Sequence, residues 1–159
     1  MLHYKDTNNN PFAFEDNVTP EIIAKVETTH KITLTKITLA EYKALIAPTF
    51  TQLRTAKKQE IYGAYNNANQ LDIAYMTTTF QADKKSQDLI VSVLSAGSVP
   101  TGFFWLDKTN NQVAMTYAQL QGLSGAILSR GQTNFAKLQG LKAKAKLAKT
   151  QTALKKVVW

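Results

Sequence analysis

The apolar positions change period several times along the chain, and each change marks an element. Leu2, Tyr4, Phe12 and Phe14 alternate with polar residues on either side of Thr7-Asn8-Asn9-Asn10-Pro11, which predicts a hairpin over residues 2–16. Asparagine tolerates positive φ and Pro11 fixes the exit, so a short polar tip is expected. Thr19-Pro20-Glu21 supplies an N-cap, a first-turn proline and an acid for a short helix. Ile32-Thr33-Leu34-Thr35 is rich in β-branched residues and reads as extended. Thr38-Leu39-Ala40-Glu41 is a capping box, and Pro48 stops the helix that it starts.

A helical period returns near Phe50, where Leu53, Lys57 (through its stem), Ile61, Ala64, Ala68 and Leu71 recur at spacings of three and four. Next comes a predicted strand, with Ile73, Tyr75, Thr77 and Thr79 on one face and Ala74, Met76, Thr78 and Phe80 on the other. Asp83 is placed to cap a helix over 84–96 that turns Leu89, Ile90, Val93 and Leu94 inward, and Gly97-Ser98-Val99-Pro100-Thr101-Gly102 breaks it. Phe103–Leu106 and Gln112–Met115 flank Lys108-Thr109-Asn110-Asn111, a second hairpin whose turn matches the first in composition. Thr116-Tyr117-Ala118-Gln119 then opens a long helical region. Its apolar stripe is Leu120, Leu123, Ile127, Phe135, Leu138, Leu141, Ala145 and Ala148. Gly122, Gly125, Gly131 and Gly140 lie along it, and a kink is expected at Arg130-Gly131 because Thr133 could cap a restart. The pattern is that of an α+β fold: an N-terminal β-hairpin, several helices, a small antiparallel sheet and a long C-terminal helical region. It divides into a hairpin and short-helix region, 1–50, and a helix-strand-helix-hairpin-helix domain, 51–159.

Composition narrows the function classes. With 44% hydrophobic residues in 159, the chain can bury a real core. It has no cysteine, which excludes disulfides, thiolate nucleophiles and cysteine-ligated metals. The longest apolar stretch, Leu89 to Gly97, is interrupted by Ser92 and Ser95 and falls far short of the ~20 residues of a membrane span. Met1 to Asp6 lacks the layout of a secretion signal. The net charge of +8 is uneven: of 19 basic residues nine follow Asp107, the last acid, leaving ten against all 11 acids in residues 1–107. Such an end suits an acidic partner, a nucleic acid or a subunit interface.

Catalytic patterns are not found. His3 and His30 have no second metal-ligating residue at helical spacing, and Ser124-Gly125 and Ser129-Arg130-Gly131 lack the strand-turn-helix setting of a nucleophile elbow. Gly97 to Gly102 precedes a strand, where a phosphate loop would precede a helix. Asp83 and Asp88 are the nearest acid–base candidates, and capping accounts for Asp83. No catalytic residue, metal ligand or cofactor is therefore assigned. On a helix Lys142, Lys146 and Lys149 share one face, with no aromatic between Phe135 and Trp159 to stack a nucleic-acid base. A solvated face is the simple reading, and contact with an acidic protein is the functional one. The candidate protein-contact residues are Tyr4, Phe12 and Phe14 on the hairpin, Lys142, Lys146 and Lys149, and Trp159, which either packs back on the fold or anchors an interface.

Two stretches carry a family resemblance. Tyr75-Met76-Thr77-Thr78-Thr79-Phe80-Gln81-Ala82-Asp83-Lys84-Lys85-Ser86-Gln87, then Gly102-Phe103-Phe104-Trp105, an Asn-rich turn and Val113-Ala114-Met115-Thr116, resemble an uncharacterised domain common in tailed-phage and prophage proteins. Tyr4-Lys5-Asp6, Asn8-Asn9-Asn10, Phe12-Ala13-Phe14 and Ile37-Thr38-Leu39-Ala40-Glu41-Tyr42 resemble short proteins encoded beside phage tail-fibre genes. Val18–Leu34 and Gly140–Trp159 lie outside the likeness. The resemblance implies a non-enzymatic tail-fibre assembly protein, a chaperone or fibre-associated factor working through protein contacts in the bacterial host cytoplasm. Its expected partners are a tail-fibre or other tail protein, or a second copy of the chain, with no membrane and no specific nucleic acid. The alternatives are a permanent subunit of the tail, baseplate or fibre attachment, retained in the virion, and, from another class, a small basic nucleic-acid-binding protein.

Overall fold

The alternation at the start of the chain folds as it reads: Leu2–Lys5 (β1) and Pro11–Phe14 (β2) pair antiparallel, with Leu2 opposite Phe14 and Tyr4 opposite Phe12. Apolar residues facing each other across two strands put all four side chains on one face. The computed structural model, which describes residues 1–159, divides at this end of the chain into a first unit, Met1–Thr49, and a second, Phe50–Trp159.

The first unit continues with Pro20–His30 (α1), Thr35–Ile37 (β3) and Leu39–Ile46 (α2). Strand β3 pairs with the free side of β1, so the order is β2-β1-β3 and the hairpin's first strand is the centre of a sheet. The extended segment starts at Thr35, later than the expected Ile32. The delay follows from how α1 ends: Lys31 takes the left-handed conformation (φ 53°), Ile32 N–H bonds the Glu27 carbonyl, and Leu34 N–H bonds the Glu27 carboxylate at 2.7 Å. Thr19 occupies the N-cap position without a side-chain cap bond, whereas the Thr38/Glu41 capping box of α2 forms in full.

The second unit holds Phe50–Asn69 (α3), Ile73–Tyr75 (β4), Thr78–Phe80 (β5), Lys84–Ser95 (α4), Phe104–Leu106 (β6), Gln112–Ala114 (β7), Tyr117–Leu147 (α5) and Gln151–Lys155 (α6). The fold is α+β, with six helices and small antiparallel sheets. Contacts between the start of α3 and the end of α5, and between the end of α3 and the middle of α5, show the pair to be antiparallel. Two cores lie along α5. One gathers Ile73, Phe80, Ile90, Trp105, Met115, Leu120 and Leu123; the other gathers Ile61, Leu138, Leu141, Ala145, Leu154 and Val157.

Three expectations need correcting. Residues 73–80 form a two-stranded hairpin and not one strand: Met76 (φ 54°) and Thr77 turn the chain, so Ile73 and Phe80 pair and are buried on the same side. Helix α5 continues unbroken through Arg130-Gly131. Thr133 donates its hydroxyl to the Ser129 carbonyl and so makes an ordinary intrahelical bond where a restart cap was expected. Of its four glycines only Gly122 meets a neighbour, since a Cβ there would run into the Tyr75 hydroxyl. Leu71, Leu89 and Phe135 are exposed, because Leu71 lies beyond the end of α3 and the other two sit off the faces that α4 and α5 bury.

Trp105 is 8% exposed and packs in the first core with Phe80, Leu120 and Leu123. Trp105→Ala is expected to lower the unfolding free energy by about 3–5 kcal/mol, against no more than about 0.5 kcal/mol for exposed Leu128→Ala, both read by denaturant titration.

Candidate protein-contact site

The positions that carried the resemblance are architectural. Phe80 is buried to 1% exposure. Asp83 caps α4, accepting from the backbone N–H groups of Lys85 (2.8 Å) and Ser86 (3.1 Å) and from the Ser86 hydroxyl (3.0 Å). These bonds, the Ser86 N–H first, hold its carboxyl below the usual value. The Gln87 amide donates to both the Asn69 and Ala82 carbonyls at 2.7 Å. Each of these groups is engaged within the fold.

The polar turns of the two Asn-rich hairpins, β1-β2 and β6-β7, share one hydrogen-bonding plan. In Asp6-Thr7-Asn8-Asn9-Asn10, Asp6 Oδ1 accepts from Asn8 N–H and Asn10 N–H at 2.8 Å, Oδ2 accepts from the Asn10 amide at 2.7 Å, and Asn9 has φ 62°. In Asp107-Lys108-Thr109-Asn110-Asn111, Asp107 Oδ1 accepts from Thr109 N–H (2.7 Å) and Asn111 N–H (2.9 Å), Oδ2 accepts from the Asn111 amide (3.0 Å), and Asn110 has φ 66°. Four donors on one carboxylate, the Asn111 N–H foremost and the Thr109 hydroxyl among them, bring Asp107 down to about 2. Its oxygens are committed to the turn. No group of three or more His, Cys, Asp or Glu side chains is placed to share a metal ion.

Beside the second turn lies a surface that spacing did not disclose. Asp107 N–H bonds the Asn111 carbonyl and Met115 N–H bonds the Phe103 carbonyl, so odd-numbered residues of this stretch bond toward β7. The peptide groups of Phe104 and Leu106 therefore point to the outer edge of β6. Strand β5 takes only the far end of that edge, through Lys108 N–H to the Thr79 carbonyl and the Phe80–Asp107 pairing. The Phe104 end opens on a groove of about 350 Å³ between β6 and α4, lined by Leu89, Val93, Phe103, Phe104, Trp105 and Leu106. Leu89 is 55% exposed, Phe104 43% and Leu106 37%.

The expected contact residues are scattered. Tyr4, Phe12 and Phe14 are half-buried on the first unit's sheet, and Tyr4 packs edge-on against Phe14 with ring centres 5.6 Å apart. In the second unit Lys142 is half-buried, lies over the Tyr62 ring and donates to its hydroxyl at 3.1 Å. Lys146 is exposed, and Lys149 lies beyond the end of α5, so the three lysines do not form one helical face. Trp159 packs back: it is half-buried against the second core, edge-on to Tyr65 and beneath the Lys137 ammonium.

Residues 52–157 match a family described only as a domain of unknown function, DUF4376. The chain belongs to that family. No curated protein and no solved structure matches it. The DUF4376 segment takes in nearly all of the second unit, including the groove beside β6 and both cores. No helix is long and apolar enough to cross a membrane.

A depressed carboxylate pKa makes stability present above the unfolded value, near 4, and lost as pH falls toward the folded one. The Asp107 contribution is therefore expected to be complete at pH 5 and to fade toward pH 2. Carboxyl NMR titration should place its midpoint near 2, and Asn111→Ala should raise that midpoint.

Proposed function

We propose that the protein acts by binding other proteins, as a non-enzymatic factor in phage tail or tail-fibre assembly, and that the groove beside β6 receives an extended segment of its partner. The observation that carries this reading is the conjunction of an uncapped strand edge with an apolar groove. Strand addition takes its affinity from backbone hydrogen bonds along an edge and its selectivity from pockets for alternate side chains. Phe104 supplies the backbone groups, and Leu89, Val93 and Phe103 supply the wall. Monomeric proteins cover or charge such edges, and this one is bordered by exposed apolar residues. The assignment to tail morphogenesis rests on the likeness of Tyr75–Gln87, Gly102–Trp105 and the first hairpin to proteins of that setting.

The test is binding of the tail-fibre protein from the same phage or prophage genome. Leu89→Glu/Phe104→Glu is expected to weaken it by roughly tenfold or more while leaving the melting temperature nearly unchanged, since both side chains are exposed. Unchanged affinity would remove the groove from the contact. Purified particles holding the protein in stoichiometric amount would make it a permanent subunit, whereas its absence from them would make it an assembly factor.

A further inference from the structure

The charge of the second unit is confined to one pole. Phe50–Tyr62 and Phe135–Trp159 together carry ten Lys and Arg residues, with Glu60 the only acid, already bonded to Lys57 at 2.6 Å. Residues 63–134 carry four basic and four acidic residues and are neutral overall. Both arginines are turned inward: Arg54 donates to the Ala148 carbonyl and Arg130 to the Asn69 and Leu71 carbonyls. The exposed cations are therefore lysines. Two of them sit on aromatic faces, Lys137 over Trp159 at 4.5 Å and Lys142 over Tyr62 at 5.2 Å, so one face of each ring is taken by an ammonium.

One line of side chains joins this pole to an apolar surface. Leu128, Phe135 and Lys142 recur every seven residues on α5, about 10 Å apart, and Lys146 follows one turn later on the same face. Leu128 is 64% exposed and Phe135 53%, and both are large apolar side chains on open helix surface. Leu128 also lines a groove of about 350 Å³ among α3, α4 and α5, opposite Tyr65 and Val91, and Val91 is 61% exposed. The strip is apolar at its first half and cationic at its second.

We propose that this strip docks an acidic amphipathic helix of a partner protein, with the partner's apolar residues against Leu128, Val91 and Phe135 and its carboxylates against Lys142 and Lys146. Charge complementarity selects the partner's sign, and the seven-residue spacing on α5 matches a second helix lying along it. Leu128 and Phe135 would give phosphates nothing to bind, and Trp159 and Tyr62 each have one face taken by a lysine ammonium, which leaves Phe135 as the one aromatic of the strip. The surface is distinct from the groove beside β6, and either can stand without the other.

The probe is a synthetic helical peptide of about 20 residues, on the order of 30 Å long, with leucines on one half of a face and glutamates on the other half. Its affinity for the full chain is read by fluorescence anisotropy at low and at moderate salt, beside a scrambled peptide of the same composition, a DNA duplex and phosphatidylserine vesicles. The patterned peptide is expected to bind, with the scrambled one weaker by roughly tenfold. Phe135→Ser and Lys146→Glu should each cost roughly tenfold, with unchanged melting curves. Lys155→Glu, the same charge change on α6 and off the strip, should cost about twofold or less. Equal losses in Lys146→Glu and Lys155→Glu would reduce the effect to net charge and overturn the proposal. So would failure of the patterned peptide to bind, or tighter binding of DNA or vesicles at moderate salt.

Discussion

The carbonyl end of α3 is where the second unit is tied together. The last carbonyls of a helix have no partner within it and carry the negative end of its dipole. Here the Asn69 carbonyl accepts from Gln87 at 2.7 Å and from Arg130 at 2.6 Å, the Leu71 carbonyl accepts from Arg130, and the Asn69 side chain accepts from Asn134 at 2.8 Å. Helices α4 and α5 are thereby pinned to one end of α3. At the other end Arg54, lying 4.7 Å from the Phe50 ring, donates to the Ala148 carbonyl just past α5. Each long helix contributes an arginine to the end of the other. Burial draws the Arg130 guanidinium below its usual pKa, with Asp72 opposing the shift, and it stays a cation suited to a helix end.

This arrangement explains what spacing alone misreads in α5. Glycines and a threonine near residue 131 look like a stop signal, and an isolated helix with four glycines would be weak there. Arg130 clamps the middle of the helix to α3, and Leu138, Leu141 and Ala145 are buried beyond it. Tertiary contact outweighs local propensity. What could be read beforehand was set within a few residues: both Asn-rich hairpin turns, the capping boxes of α2 and α5, the Asp83 cap and the stripe of α3. Met76 escaped because its left-handed backbone is carried by a residue that gives no turn signal.

The contact surfaces were less legible for a related reason. Leu89 and Phe135 fit helical stripes on paper, and only the packed neighbours show that Ile90 and Leu138 take the inward places. The freedom of the β6 edge depends on how far β5 extends beside it, which no local pattern encodes. Lys142, Lys146 and Lys149 were grouped by a helix assumed to continue, yet Thr150 caps a separate short helix and Ala148 closes the first. Trp159 followed the ordinary rule that a large aromatic finds cover, here against Tyr65 and the second core.

The twin turns bear on the order in which the chain organises. Each Asp-to-Asn loop closes within five residues, through bonds that need nothing from the rest of the protein. Hairpins form on the order of microseconds, and contacts close in sequence incur little loop entropy. Each unit thus contains one turn, around Asp6 in the first and Asp107 in the second, whose closure draws only on its own residues. Trp105, two residues before the second, lies in the core that β5 and α5 complete, so a turn that closes by itself sets the strand that carries this tryptophan. The Asp-Asn pairs set two strand registers without calling on either core.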